Sequence, residues 1–195
     1  MEPFRRTRGG GARAWIAASE ASLLRSLVEQ VMTLIAPDGP EPPTGAPGEP
    51  GWEDVTALEA LLHEPTAPAG ESPQAPEDPV LARLLPDGYR DDPEAAGEFR
   101  RYTEPELRSG KQQAAQEMLD TLPDAGGRIQ LTRDQAVAWL KALNDVRLAI
   151  GTVLGITEDY EAEMEAASWA DPRSAYLEVY HWLGYVQDSL VRALW

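Results

Sequence analysis

A run of proline, glycine and acidic residues from Ala36 to Pro76 splits the chain into a short N-terminal piece and a long C-terminal one. Such a composition makes a linker and cannot pack into regular elements. Of the 17 prolines and 16 glycines in the 195 residues, much of the excess falls in this one stretch, so the flanks are left with the composition of a globular protein. At 195 residues the chain is long enough for one sizeable core and too short for two full domains once this stretch is set aside. The expectation is therefore a single domain. It combines an N-terminal β-hairpin and first helix (1–35), a largely disordered acidic linker (36–76), and a helical remainder (77–195) that packs back onto the N-terminal piece.

The N-terminal piece reads as extended runs at Phe4–Arg8 and Ala12–Ala17 around the triplet Gly9, Gly10 and Gly11, which offers the positive φ a hairpin turn requires. Ser19 then serves as an expected N-cap. Leu23, Leu24, Leu27, Val28, Val31, Leu34 and Ile35 recur at helical spacing until Pro37. Beyond the linker, which holds a short helical pattern at Trp52–Leu62, three Asp-Pro steps (Asp78, Asp92 and Asp171) each place a side-chain acceptor before a proline at the first helical position. Thr103 with Glu106 reads as a further helix start, and GGRIQL at 126–131 as a short strand. Thr132 with Gln135 is a capping box for the helix 133–154, the expected centre of the fold, which Gly155 ends. The last helix, from Pro172, carries Tyr176, Val179, Tyr180, Leu183, Val186, Leu190 and Leu194 as its core face. Trp182 and Tyr185 point elsewhere. The fold class expected is mainly α with a small N-terminal β element, a hairpin plus one short strand.

Charge narrows the function classes. The net charge is −16, which repels phosphate backbones over most of the surface, so direct DNA binding is disfavoured. Its distribution is uneven: residues 1–35 carry five arginines against three glutamates, and residues 36–98 carry two arginines against fifteen acids. Zero cysteines rule out disulfides, thiolate nucleophiles and cysteine metal sites. The start lacks a signal-peptide apolar core and no run has the length of a membrane span, so a cytoplasmic protein is expected.

Little in the chain suggests chemistry. His63 and His181 lack the neighbours of a triad or a metal motif. Glu158, Asp159, Glu161, Glu163 and Glu165 read as a solvated run more readily than as a divalent-metal site. No enzyme, cofactor or metal is expected. The partner-binding candidates are the hairpin arginines Arg5, Arg6, Arg8 and Arg13, with Arg6 and Arg8 on one face and Arg5 on the other, together with Trp182 and Tyr185 as an aromatic patch. Asn144, Asp145 and Arg147, beside the apolar stripe of the central helix, are the candidates for a buried polar network. Gly151 and Gly155 would let another helix approach closely.

Several long strings bear a family likeness. FRR before a glycine turn, DPVLARLLPDGYRDDPEAAGEFRRYTEPELRSGK at 78–111, AWLKALNDVRLAIGTVLGI at 138–156 and YLEVYHWLGYVQDSLV at 176–191 resemble the actinobacterial DUF2017 family across the chain outside the linker. That family includes oxidative-stress transcriptional regulators of the AosR type and is often encoded beside a ClpS-type adaptor. The resemblance implies a non-enzymatic regulator working through a protein partner in the transcription machinery, or alternatively an adaptor in Clp-linked proteolysis. The residues themselves leave a second alternative, an enzyme with a carboxylate metal site after Gly155, and a homodimer through the last helix is a further expectation. The redox-sensing cysteine pair associated with the regulators has no counterpart here.

Overall fold

The computed structural model describes residues 1–36, 76–89, 91–156 and 174–195. The pattern at Trp52–Leu62, most of the 36–76 linker, His63, the acidic run 158–165 and the Asp171-Pro172 step lie outside the described residues. The elements are β1 (Arg5–Arg6), β2 (Ala12–Ile16), α1 (Ala18–Leu34), α2 (Pro79–Leu84), α3 (Pro93–Thr121), β3 (Gly127–Leu131), α4 (Arg133–Val153) and α5 (Ser174–Leu194). The fold is mainly α with one small antiparallel sheet in the order β1-β2-β3.

Local chemistry explains most boundaries. In the hairpin turn the Thr7 N–H donates to the Gly11 carbonyl and the Gly10 N–H to the Thr7 carbonyl, with Gly10 at φ +79°. This is a three-residue loop closed by a left-handed residue. Gly11 is required for a different reason: a Cβ there would lie 2.0 Å from the Leu131 carbonyl oxygen, so only glycine lets the hairpin seat against β3. Helix α1 begins two residues earlier than Ser19 as N-cap would place it. Ala17 is its N-cap, and the Glu20 carboxylate accepts the Ala17 N–H at 2.8 Å. The Asp78 and Asp92 carboxylates accept N–H groups of the first turns of α2 and α3. At the head of α4, Thr132 and Gln135 cap each other reciprocally, at 3.2 and 2.9 Å. Its end is closed at Gly155, φ +65°, where Gly155 and Ile156 N–H groups return to the carbonyls of Thr152 and Gly151.

One expected boundary is absent. Thr103 and Glu106 do not start a helix, because α3 runs unbroken for 29 residues through Pro105. The Thr103 hydroxyl donates back to the Phe99 carbonyl instead. Pro105 orphans the Arg101 carbonyl, but both residues are exposed, so water can take that carbonyl.

Helix α4 is the centre. It packs against α1, α2, α3 and α5, and Trp139, Leu143 and Ile150 on it are almost completely buried. A single apolar cluster joins the inner sheet residues (Ala12, Ile16, Ile129, Leu131) to α1, α2, α4 and α5. Phe4 meets Trp139 edge-on at 5.7 Å. The Phe4 N–H donates to the Ser189 hydroxyl, which fastens the hairpin to α5. On α5 the deeply buried face is Leu177, Leu183, Val186, Leu190 and Leu194, whereas Tyr176, Val179 and Tyr180 are only half-buried. No helix among the described residues is long and apolar enough to cross a membrane.

Candidate functional site: a basic sheet face with one tryptophan

Strand register decides which side chains meet. Arg5 lies directly opposite Arg13, Arg13 opposite Gln130, and Trp15 opposite Arg128. The buried partners alternate with these: Ala12, Ala14 and Ile16 on β2 face inward with Ile129 and Leu131 of β3. The outward face of the sheet is therefore Arg5, Arg13, Trp15, Arg128 and Gln130, with no carboxylate among its strand residues. Directly opposed side chains on one face sit with Cβ atoms about 5 Å apart. Trp15 is 54% exposed.

The hairpin arginines do not group as their parity in sequence suggests. Arg5 and Arg13 share the outward face, and Arg6 is in register with buried Ala12 but exposed at the free edge. Arg8 belongs to the turn and to neither strand face. Trp15 and Arg128 were not among the candidates, although the alternation in ARAWI and GRIQL marks them as outward. Their juxtaposition depends on a β2–β3 pairing that joins residues more than a hundred positions apart.

The arginines of the helical layer are arranged differently. Arg100, 7% exposed, pairs with Asp87 and Glu104 and donates to the Leu85 carbonyl. Arg108 pairs with Glu104 and donates to the Ile35 carbonyl. Lys111 reaches Asp145 at 2.6 Å. Asp145 is 5% exposed, and burial raises its carboxyl above the ordinary 3.8, with the Lys111 hydrogen bond and charge pulling the other way. Arg147 lies over the Tyr180 ring at 4.9 Å and donates to Gln187 at 2.7 Å and to the Tyr180 hydroxyl at 3.3 Å.

The three residues proposed as one buried network thus separate. Asp145 faces α3 and Arg147 faces α5, because two positions along a helix are about 200° apart. Asn144 is exposed. Gly151 does admit a close neighbour, the Tyr180 ring edge 3.3 Å from where its Cβ would stand, so that contact lies within the chain. Trp182 is half-buried against the core, and Tyr185 is 47% exposed. His181 is exposed. Among the described residues no three His, Cys, Asp or Glu are grouped to hold a metal ion.

A model of a domain of unknown function, DUF2017, matches residues 1–194. The chain is 35% identical to the putative oxidative stress regulator AosR of Mycobacterium leprae, over 93% of this chain and 82% of the relative. It is equally 35% identical to the oxidative stress regulator AosR of Mycobacterium bovis and of Mycobacterium tuberculosis, over 93% of this chain and 81% of each relative. No solved structure matches. A family match that leaves out a single residue, together with relatives aligned over nearly the whole chain, shows that this protein belongs to the DUF2017 family.

Proposed function

We propose that the protein is a non-enzymatic regulator of the response to oxidative stress, acting through contact with a protein of the transcription machinery. The supporting observation is the 35% identity, over 93% of the chain, to proteins named oxidative stress regulators. Without any cysteine, regulation here runs through no disulfide of its own. Met118 is fully buried, which makes it a poor oxidant sensor. On this reading the oxidant is detected by the partner. The acidity of the chain favours a protein contact over a direct grip on DNA.

The test is affinity capture of the tagged chain from its native cell after mild crosslinking, with and without peroxide, followed by mass spectrometry. Recovery of RNA polymerase or a sigma factor is expected, with peroxide changing the yield. Recovery of Clp components alone, or of the chain alone, would overturn this reading.

A further inference from the structure

We propose that the outward face of the sheet docks a short acidic segment of a protein partner, its carboxylates pairing with Arg5, Arg13 and Arg128 and an apolar side chain lying on Trp15. The inference deepens the proposed function by naming the surface and the chemistry of what it takes.

Three observations carry it. First, Arg5 and Arg13 are placed side by side, an arrangement that costs stability unless an anion answers it. Second, these arginines are unanswered within the described residues. Arg25, Arg100, Arg108 and Arg192 each hold a carboxylate, whereas Arg5, Arg13 and Arg128, like Arg83, Arg101 and Lys141 on the helices, form no ion pair there; what sets the sheet three apart is that the strand register gathers them on one face. In a chain of net charge −16 acids are plentiful, yet even Glu2, whose N–H donates to the Trp15 carbonyl, forms no ion pair with these arginines. Third, Trp15 stands on the central strand. Arg5 and Arg128 stand on the two edge strands, where charge also deters edge pairing, but Trp15 and Arg13 stand on the central one, where it has no such task. Tryptophan and arginine are also the side chains richest in binding energy at protein interfaces.

The size of the face selects the partner. The sheet is three strands wide, with β1 only two residues long and β2 and β3 five each. At about 3.3 Å per residue and about 4.8 Å per strand it is on the order of 15 Å across. A short acidic segment fits within it. A nucleic-acid strand running beyond it meets the acidic remainder of the molecule and has a single aromatic ring to stack on, where strand-binding proteins use successive rings.

The test uses the full chain and a fluorescein-labelled pentapeptide of three glutamates and two leucines, about 17 Å long when extended, with binding read by anisotropy at low and at physiological salt. Binding is expected at low salt, weakening as salt rises. The triple variant Arg5→Glu, Arg13→Glu, Arg128→Glu is expected to weaken it at least about tenfold, and Trp15→Ala by about fivefold or more. A triple to glutamine serves where the glutamates lower the melting temperature. The control Arg101→Glu, Lys141→Glu, Arg192→Glu makes the same charge change off the sheet and is expected to have a much smaller effect. No peptide binding at low salt, an equal loss in the control, or tighter binding of a labelled twelve-nucleotide oligodeoxythymidine would overturn the proposal. Capture of a transcription protein that survives the sheet triple would remove this face and leave the proposed function standing. Peptide binding with no partner captured would do the reverse.

Discussion

Three largely buried cations of the helical layer and three exposed ones on the sheet are arranged in opposite ways. Arg100, Arg108 and Lys111 are largely buried and each has a carboxylate. Arg5, Arg13 and Arg128 are exposed, adjacent to one another, and without one among the described residues. The first set is structural, since a desolvated cation must be compensated or the fold pays the desolvation cost. The second set contributes little to stability, and its arrangement calls for an anion from outside the described residues. Stability measurements and binding measurements should therefore separate the two sets.

The largest expected effect is at Lys111. Lys111→Met leaves the Asp145 carboxylate buried without its cation, at a cost of about 3 kcal/mol in urea unfolding near pH 7. The pH dependence identifies the mechanism. Asp145 titrates near 3.8 when unfolded, and burial raises it in the folded state. The folded protein thus holds that proton more tightly than the unfolded one, so the group's contribution to stability is greatest at low pH and falls as pH rises from 3.8 through the raised value. Removing Lys111 removes both influences that lower the carboxyl, and extends the window upward. The loss caused by Lys111→Met should then shrink as pH is lowered toward about 4.5. An equal loss at both pH values would mean that Asp145 is not the charge left behind.

Next comes Arg100→Met, which strands Asp87, leaves Glu104 with Arg108 alone and frees the Leu85 carbonyl that the guanidinium holds. Both acids are partly exposed, so water recovers some of the loss and about 2 kcal/mol is expected. Thermal unfolding followed by circular dichroism reads it. A loss under about 0.5 kcal/mol would place Arg100 with the sheet arginines instead of with Lys111.

Thr132→Ala, removing the hydroxyl that caps Gln135, should cost about 1 kcal/mol in the same assay. This cap was legible in the sequence, as were the caps at Asp78 and Asp92 and the glycine stop at Gly155. All are written in residues adjacent along the chain. The helix-spaced apolar residues likewise gave α1, α4 and α5, and from them the fold class. What escaped was whatever depends on two distant stretches meeting. Thr103 and Glu106 look locally like a start, but the helix through Pro105 is held by Arg100 and by the packing of Ala114 and Met118 on either side. The site shows the same limit. Arg5 and Arg13 were visible as a basic cluster, yet Arg128 and Trp15 join them only through the β2–β3 register. Asn144 and Asp145 are neighbours in sequence and end on different sides of solvent, because one step along a helix is about 100°.

The smallest effect is the most diagnostic. Arg13→Thr places a good strand former on the central strand and removes the like-charge opposition to Arg5. If the sheet arginines have no structural task, the variant should be as stable as the wild type or more stable by a few tenths of a kcal/mol at low salt. Salt separates the causes. Screening relieves arginine–arginine repulsion in the wild type but has nothing to relieve in the variant, so the difference between the two should narrow as salt is raised to about 1 M, where the screening length is about 3 Å. Differential scanning fluorimetry at the two salt concentrations resolves this. A loss of 1 kcal/mol or more, independent of salt, would show Arg13 packing its stem into the sheet as the helical cations do, and the contrast between the two sets of arginines would fail at that residue. A small gain that disappears in salt would mean that the folded chain carries repulsion here for which only binding offers a use.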